Sequence, residues 1–143
     1  MSASAFWDTN VLIYWIEDVP AWRDRVGALR AWQAERSIRA VTSSLTLGEI
    51  LVHPIRKGQG GAARDYGALI RAMGCLAFGP DEAETFAAIR ARHPKVRPPD
   101  AIQLACAVRS GVEWFITNDA RLSGLSIRGL GRIVNLAEGP PRS

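Results

Sequence analysis

The sequence predicts an α/β fold, a parallel sheet covered by helices on both faces, in a single domain spanning residues 1–143. Three observations carry that expectation. Short apolar runs of strand length alternate with longer segments of helical periodicity, which is the pattern of repeated βα units. Apolar residues make up 48% and charged residues 22% of the 143, a globular balance in a chain long enough to bury a core without disulfide or metal staples. Turn and breaker residues such as Pro20, Gly79-Pro80 and Gly111 fall between those segments.

The elements follow in order. Residues 4 to 7 read as a short strand, and 11 to 17 as a helix. A second helix is opened by Pro20, which suits a first-turn position, and runs through Trp22, Val26 and Leu29. Ile38 to Thr42 reads as a strand, and Ser43-Ser44 as a cap for a helix that Pro54 stops. Gly58 to Gly61 is a loop before a helix near 62 to 72, which leads to a strand from Cys75 to Phe78. Asp81 and Glu82 open a helix with Phe86 and Ile89 facing inward, ending near His93-Pro94. A helix from Asp100 to about Arg109 ends at Gly111, Glu113 to Thr117 is a strand, and Ile127 and Ile133 to Leu136 supply the last extended pieces.

Four acids stand out against this frame. Asp8 ends Ala5-Phe6-Trp7, and Asp119 closes Trp114 to Asn118. Asp100 opens a helix whose Ala101, Leu104, Ala105 and Val108 recur at helical spacing. Glu49 shares a helical stripe with Leu45 and Val52, so it is expected to face packed surroundings, where a lone carboxylate is costly. In a parallel sheet the strand ends and the following helix starts lie along one edge, which brings Asp8, Asp100 and Asp119 together within reach of Glu49. Two unscreened carboxylates at about 4 Å repel by roughly 4 kcal/mol at an effective dielectric near 20, so such a pocket calls for cations or protons.

Taken singly, each acid has a plainer explanation. Asp100 with Gln103 has capping-box spacing, Asp8 and Asp119 suit turns or caps after strands, and Glu49 suits an exposed position or an arginine pair. These explanations predict no common location, whereas a metal site does. The donors on offer are oxygens, since His53 and His93 are isolated, and Cys75 and Cys106 are read as core thiols. A hard cation, Mg²⁺ with Mn²⁺ as substitute, suits that donor set.

The 18 basic residues exceed the 14 acidic ones by four, and gathering four acids in one pocket leaves the remaining surface more basic still, which suits a polyanionic partner. Arg90, Arg92, His93, Lys95 and Arg97 crowd the approach to Asp100, and Arg56-Lys57 follow the Glu49 helix; such runs also serve simply as solvated faces. Trp15 and Trp22 are the aromatic residues suited to a subunit contact. No apolar stretch reaches membrane-spanning length and no leader pattern opens the chain, so a cytoplasmic location is expected.

Nearly the whole length resembles the PIN domains, and within them the small VapC-like ribonuclease toxins of type II toxin–antitoxin modules. The resemblance is carried by Asp8-Thr9-Asn10-Val11-Leu12-Ile13, Leu47-Gly48-Glu49-Ile50, Pro99-Asp100-Ala101-Ile102-Gln103-Leu104-Ala105 and Thr117-Asn118-Asp119-Ala120-Arg121-Leu122, in that order. It implies a three-layer α/β/α sandwich around a parallel sheet of about five strands ordered 3-2-1-4-5. The family's acidic quartet maps onto Asp8, Glu49, Asp100 and Asp119, binding Mg²⁺ or Mn²⁺, with Asp8 and Asp100 the implied direct ligands. Thr9, Asn10, Thr117 and Asn118 match supporting polar positions. A homodimer and a cognate antitoxin covering the site are implied as well.

The expected activity is metal-dependent endonucleolytic cleavage of RNA, in which a carboxylate-held cation activates a water for attack on the phosphodiester. Two alternatives stay open. A non-catalytic module would keep the fold to bind RNA or a partner; an Asp-based phosphohydrolase would use Asp8 as nucleophile, although position 10 is Asn where that chemistry needs a second acid.

Overall fold

The computed structural model describes residues 3–141. β1 (Ser4–Trp7) leads into α1 (Thr9–Ile16), and a 3-10 turn at Pro20–Trp22 opens α2 (Arg23–Glu35). β2 (Arg39–Ser43) is followed by α3 (Ser44–Arg56) and α4 (Gly60–Ala72), then by β3 (Cys75–Leu76), α5 (Pro80–Arg92) and α6 (Pro98–Ser110). β4 (Trp114–Thr117), the short α7 (Ala120–Ser123), β5 (Arg132–Asn135) and a 3-10 turn at Leu136–Glu138 complete the described chain.

The five strands form one parallel sheet in the order β3-β2-β1-β4-β5, the architecture expected from the sequence. β1 lies at its centre, where Phe6 pairs with Val41 on one side and Phe115 on the other. Strand alternation then divides the core in two. Ala5 and Trp7 point to one face, packing with Val11, Leu12, Val26, Leu29, Ile50 and Ile70 from α1 to α4. Phe6 points to the other, with Ile89, Leu104 and Leu122 from α5, α6 and α7. Phe6 and Phe115 stack at 5.1 Å and are fully buried, so truncating either to alanine costs about 3–5 kcal/mol.

Several boundaries differ from the sequence expectation. α1 begins at Thr9, two residues early, because Asp8 caps it by accepting from the Thr9 amide. α3 runs on to Arg56 instead of stopping at Pro54; the proline removes only one donor in the last turn, and Lys57 N–H still reaches the His53 carbonyl at 3.0 Å. α4 takes up Gly60 and Gly61 from the expected loop, and β3 is two residues long rather than four. α6 starts at Pro98 with Arg97 as cap, so Asp100 sits in the first turn and forms no capping box. Gly111 ends that helix in the left-handed region at φ 69°, as a C-terminal glycine does. Ile127 belongs to no strand, but is buried in the second core cluster.

At Gly131 the chain enters β5 so close to β4 that an added Cβ would lie 2.1 Å from the Glu113 carbonyl oxygen. Only glycine fits there. Trp15 and Trp22, expected at a subunit contact, are half-buried and have aromatic neighbours in their own chain: Trp15 meets Trp7 edge-on, and Trp22 stacks on Tyr14 at 4.8 Å. Cys106 is buried, and its thiol is pushed up to about 11 by that burial; Cys75 is half-buried. Among the described residues no helix is long and apolar enough to cross a membrane.

Candidate active site

The C-terminal ends of β1 and β4, the starts of α1 and α6 and the second turn of α3 enclose a cleft of about 430 Å³. It is lined by all four predicted acids, Asp8, Glu49, Asp100 and Asp119, with Thr9, Asn10 and Asn118. Thr117 stands just behind, fully buried at the end of β4.

Asp8 is the most constrained of the acids. Its backbone N–H pairs with the Ile116 carbonyl at 3.0 Å, extending the sheet by one bond, while its side chain turns to cap α1. One carboxylate oxygen accepts from the Thr9 amide at 2.9 Å and the other from the Thr117 hydroxyl at 2.9 Å. Burial nevertheless raises the Asp8 pKa above the usual carboxylate value, with the Asp100 charge adding to the rise and the Thr117 and Thr9 bonds opposing it. A carboxylate so placed is poised to gain from a cation.

Glu49 corrects the sequence reading. It is exposed rather than packed, because the buried stripe of α3 is Thr46, Ile50 and Pro54 and not the row through Leu45 and Val52. The Thr9 hydroxyl donates to Glu49 at 2.7 Å and so turns it toward the cleft.

Asp100 and Asp119 form the opposite wall, and both take arginine partners. Arg97 Nε donates to Asp100 at 3.2 Å and its Nη2 lies 3.8 Å from Asp119; Arg121 binds Asp119 through Nε at 3.1 Å and Nη2 at 2.8 Å. The hydrogen bond from Arg121 holds the Asp119 carboxyl below its usual value. Among the described residues, no group of three or more His, Cys, Asp or Glu side chains is arranged to hold a metal ion. The donor chemistry still fits a hard cation, since the cleft offers four carboxylates and no sulfur or imidazole.

The sequence reading missed the residue that ties the site together. Gln103 is 2% exposed, and its amide nitrogen lies 2.7 Å from the Thr46 hydroxyl, 3.1 Å from Thr9 and 3.4 Å from Asp8. Its carbonyl oxygen accepts from Ser43. The signal was an amide among the apolar residues Ala101, Leu104 and Ala105, and it went unused because the i+3 spacing from Asp100 suggested a cap. At the mouth, Asn10 donates to Asn118 at 3.4 Å, and Asn118 reaches the Tyr14 hydroxyl at 2.5 Å. Of the basic run, Arg97 lines the cleft, whereas Arg90 holds the α5–α6 connection through the Pro94 and Val96 carbonyls.

Comparison with known proteins bears on the fold that carries this cleft. The fold is similar to a toxin–antitoxin complex from Klebsiella pneumoniae, at a TM-score of 0.64 and 28% identity over 88% of this chain and 94% of that one. It is also similar to VapBC2 from Rickettsia felis bound to a promoter DNA fragment, at 0.72 and 15% identity over 92% and 98% of the two chains. DNA-bound VapBC from Salmonella typhimurium matches at 0.71 and 22% identity over 95% and 99%. No curated protein sequence matches the chain. Residues 5–127 match the PIN domain, and with the 3-2-1-4-5 parallel sheet that match places the chain in the PIN domain family.

Proposed function

We propose that this protein is a metal-dependent endoribonuclease, the toxin of a toxin–antitoxin pair, acting in the cytoplasm as one nuclease domain. The observation that carries the reading is the convergence of four carboxylates, from four separate parts of the chain, in one cleft of a protein with net charge +4. The similarity to the Klebsiella toxin–antitoxin complex supports an antitoxin partner, and a homodimer fits the same context.

Asp8 and Asp100 would hold Mg²⁺ or Mn²⁺ directly, with Glu49 and Asp119 completing the oxygen set. When bound, such a cation would supply Lewis acidity for water activation and for charge on the leaving oxygen. The protein's own part is positioning. Thr117 and the Thr9 amide fix the two oxygens of Asp8, Thr9 orients Glu49, and Gln103 fixes Thr9 and Thr46. Arg97 and Arg121, more than half exposed at the rim, are placed to receive substrate phosphates once their carboxylates turn to the cation. Cleavage would leave 5′-phosphate and 3′-hydroxyl ends.

The pairing of Asp100 and Asp119 with arginines favours a second reading, a module that binds RNA or a partner without cutting. A phosphohydrolase has less support, because position 10 is Asn and no lysine lines the cleft. Purified, antitoxin-free protein incubated with structured RNAs separates these readings. Cleavage with Mg²⁺, none with chelator and none by Asp8→Ala or Asp100→Ala is the expected result. An inert wild type, or variants that cut equally well, defeats the nuclease reading, and phosphate release from small phosphomonoesters alone favours the phosphohydrolase.

A further inference from the structure

The acid cleft does not end at Asp100 and Asp119. These two residues, with Arg97, also wall a second hollow of about 410 Å³ between the α5–α6 connection and α7. Its floor is apolar, made of Val96, Leu122 and Leu125, and its rim carries His93, Arg97 and Arg121. His93 in turn borders a third, smaller hollow of about 150 Å³ flanked by Arg92 and Arg128. The three are neighbours along one line, Arg97, Asp100 and Asp119 bordering the first two and His93 the last two.

Charge along this line changes abruptly. Beyond Asp100 and Asp119, neither further hollow has an aspartate or glutamate in its lining among the described residues, while Lys95, Arg97, Arg121, Arg92 and Arg128 all contribute positive charge. An apolar floor under a cationic rim suits an occupant that is flat and apolar in one part and anionic at regular intervals. A nucleobase beside its phosphates has that character: bases stack on apolar surfaces, imidazoles and guanidinium planes while the backbone follows positive charge. The volume lies within the range of small-molecule pockets.

We propose that this line is a single-stranded RNA track, in which the base next to the cut phosphate lodges on Val96, Leu122 and Leu125 and the strand continues past His93 toward Arg92 and Arg128. The proposal rests on the nuclease reading of the acid cleft and adds a direction to it. Glu49 and Asn10, at the other end of the cleft, border neither further hollow. The track leaves on the α5–α7 side.

A fluorescein-labelled single-stranded RNA, remade with one abasic residue stepped through its length, tests this with the full chain. Cleavage is mapped in Mg²⁺, and binding is read by anisotropy in chelator. For the wild type, one abasic position beside the cut bond should weaken binding by about tenfold, the order expected for losing one stacked base. Leu125→Trp, which fills the hollow, should bind intact RNA as weakly as the abasic form and lose sensitivity to that position. Arg92→Ala with Arg128→Ala leaves the hollow untouched and should lower the salt dependence of binding by about one to two phosphate contacts. Uniform affinity across all abasic positions overturns the track, and so does a Leu125→Trp protein that binds and cuts like wild type. If no RNA is cut in Mg²⁺, the nuclease reading fails by itself, while the anisotropy series still decides whether the track exists.

Discussion

On the β1 wall of the cleft, Asp8 is bound by Thr117 and the Thr9 amide, and behind it Gln103, Thr46 and Ser43 form a buried network. On the facing wall Asp100 and Asp119 have as partners arginines whose side chains are 59% and 65% exposed. One wall is held largely by short, desolvated hydrogen bonds between elements distant in sequence, such as Thr117 to Asp8 and Gln103 to Thr46. The other is held by long, solvated side chains from the same turn of chain, which reorient at little cost. Fixed geometry and adjustable charge are thus divided between the two sides of one site.

Substitutions on the fixed wall should have the largest effects. Asp8→Asn keeps the shape and the Thr9 bond but removes the charge, and RNA cleavage should fall by about a thousandfold, as when a principal charge-stabilising group is lost. A loss under tenfold would mean that Asp8 does not hold the cation. Gln103→Leu should slow cleavage by roughly 10- to 100-fold, the range for residues that orient a metal's ligands. It should also cost about 2 kcal/mol in urea unfolding, because the Ser43 and Thr46 hydroxyls lose a buried partner. If stability falls and the rate does not, Gln103 is a core residue only.

Asp8 and Asp119 should titrate in opposite senses. The folded-state pKa of Asp8 is raised, so the native protein binds the extra proton, and Asp8's contribution to stability declines as pH rises from the ordinary carboxylate value through the raised one. Asp119 is depressed, so its contribution is present above the ordinary value and is lost as pH falls through the lowered one. In metal-free urea titrations Asp8→Asn should therefore gain on the wild type with rising pH. A parallel pair of curves would contradict the burial of Asp8. The smallest effect belongs to Arg121→Ala: the urea midpoint at neutral pH should hardly move, since the guanidinium is exposed, while RNA binding should lose part of its salt dependence.

How much of this was legible in the sequence follows the same division. Asp8 could be placed because one residue serves as strand end, helix cap and cleft acid, and each role leaves a local mark. The sheet could be ordered through the resemblance carried by four motifs. Glu49 was misphased because the buried stripe of α3 contains Thr46 and Pro54, which hydropathy does not mark as core. Gln103 could not be interpreted locally, since its meaning lies in partners 57 to 95 residues away. The arginine pairings were equally hidden; a run of positive charge does not say which side chain turns inward.

The bond from Thr117 to Asp8 spans 109 residues, and Asp8 also takes its backbone partner from Ile116. A chain growing from its N-terminus therefore carries Asp8, Thr9 and Glu49 long before the second Asp8 oxygen finds its partner. Until β4 pairs with β1, Asp8 has neither its Thr117 nor its Ile116 partner, and a fragment ending before residue 116 lacks both of them together with Asp119. The acid cleft is therefore completed only when the central strands have closed, after most of the chain has been made.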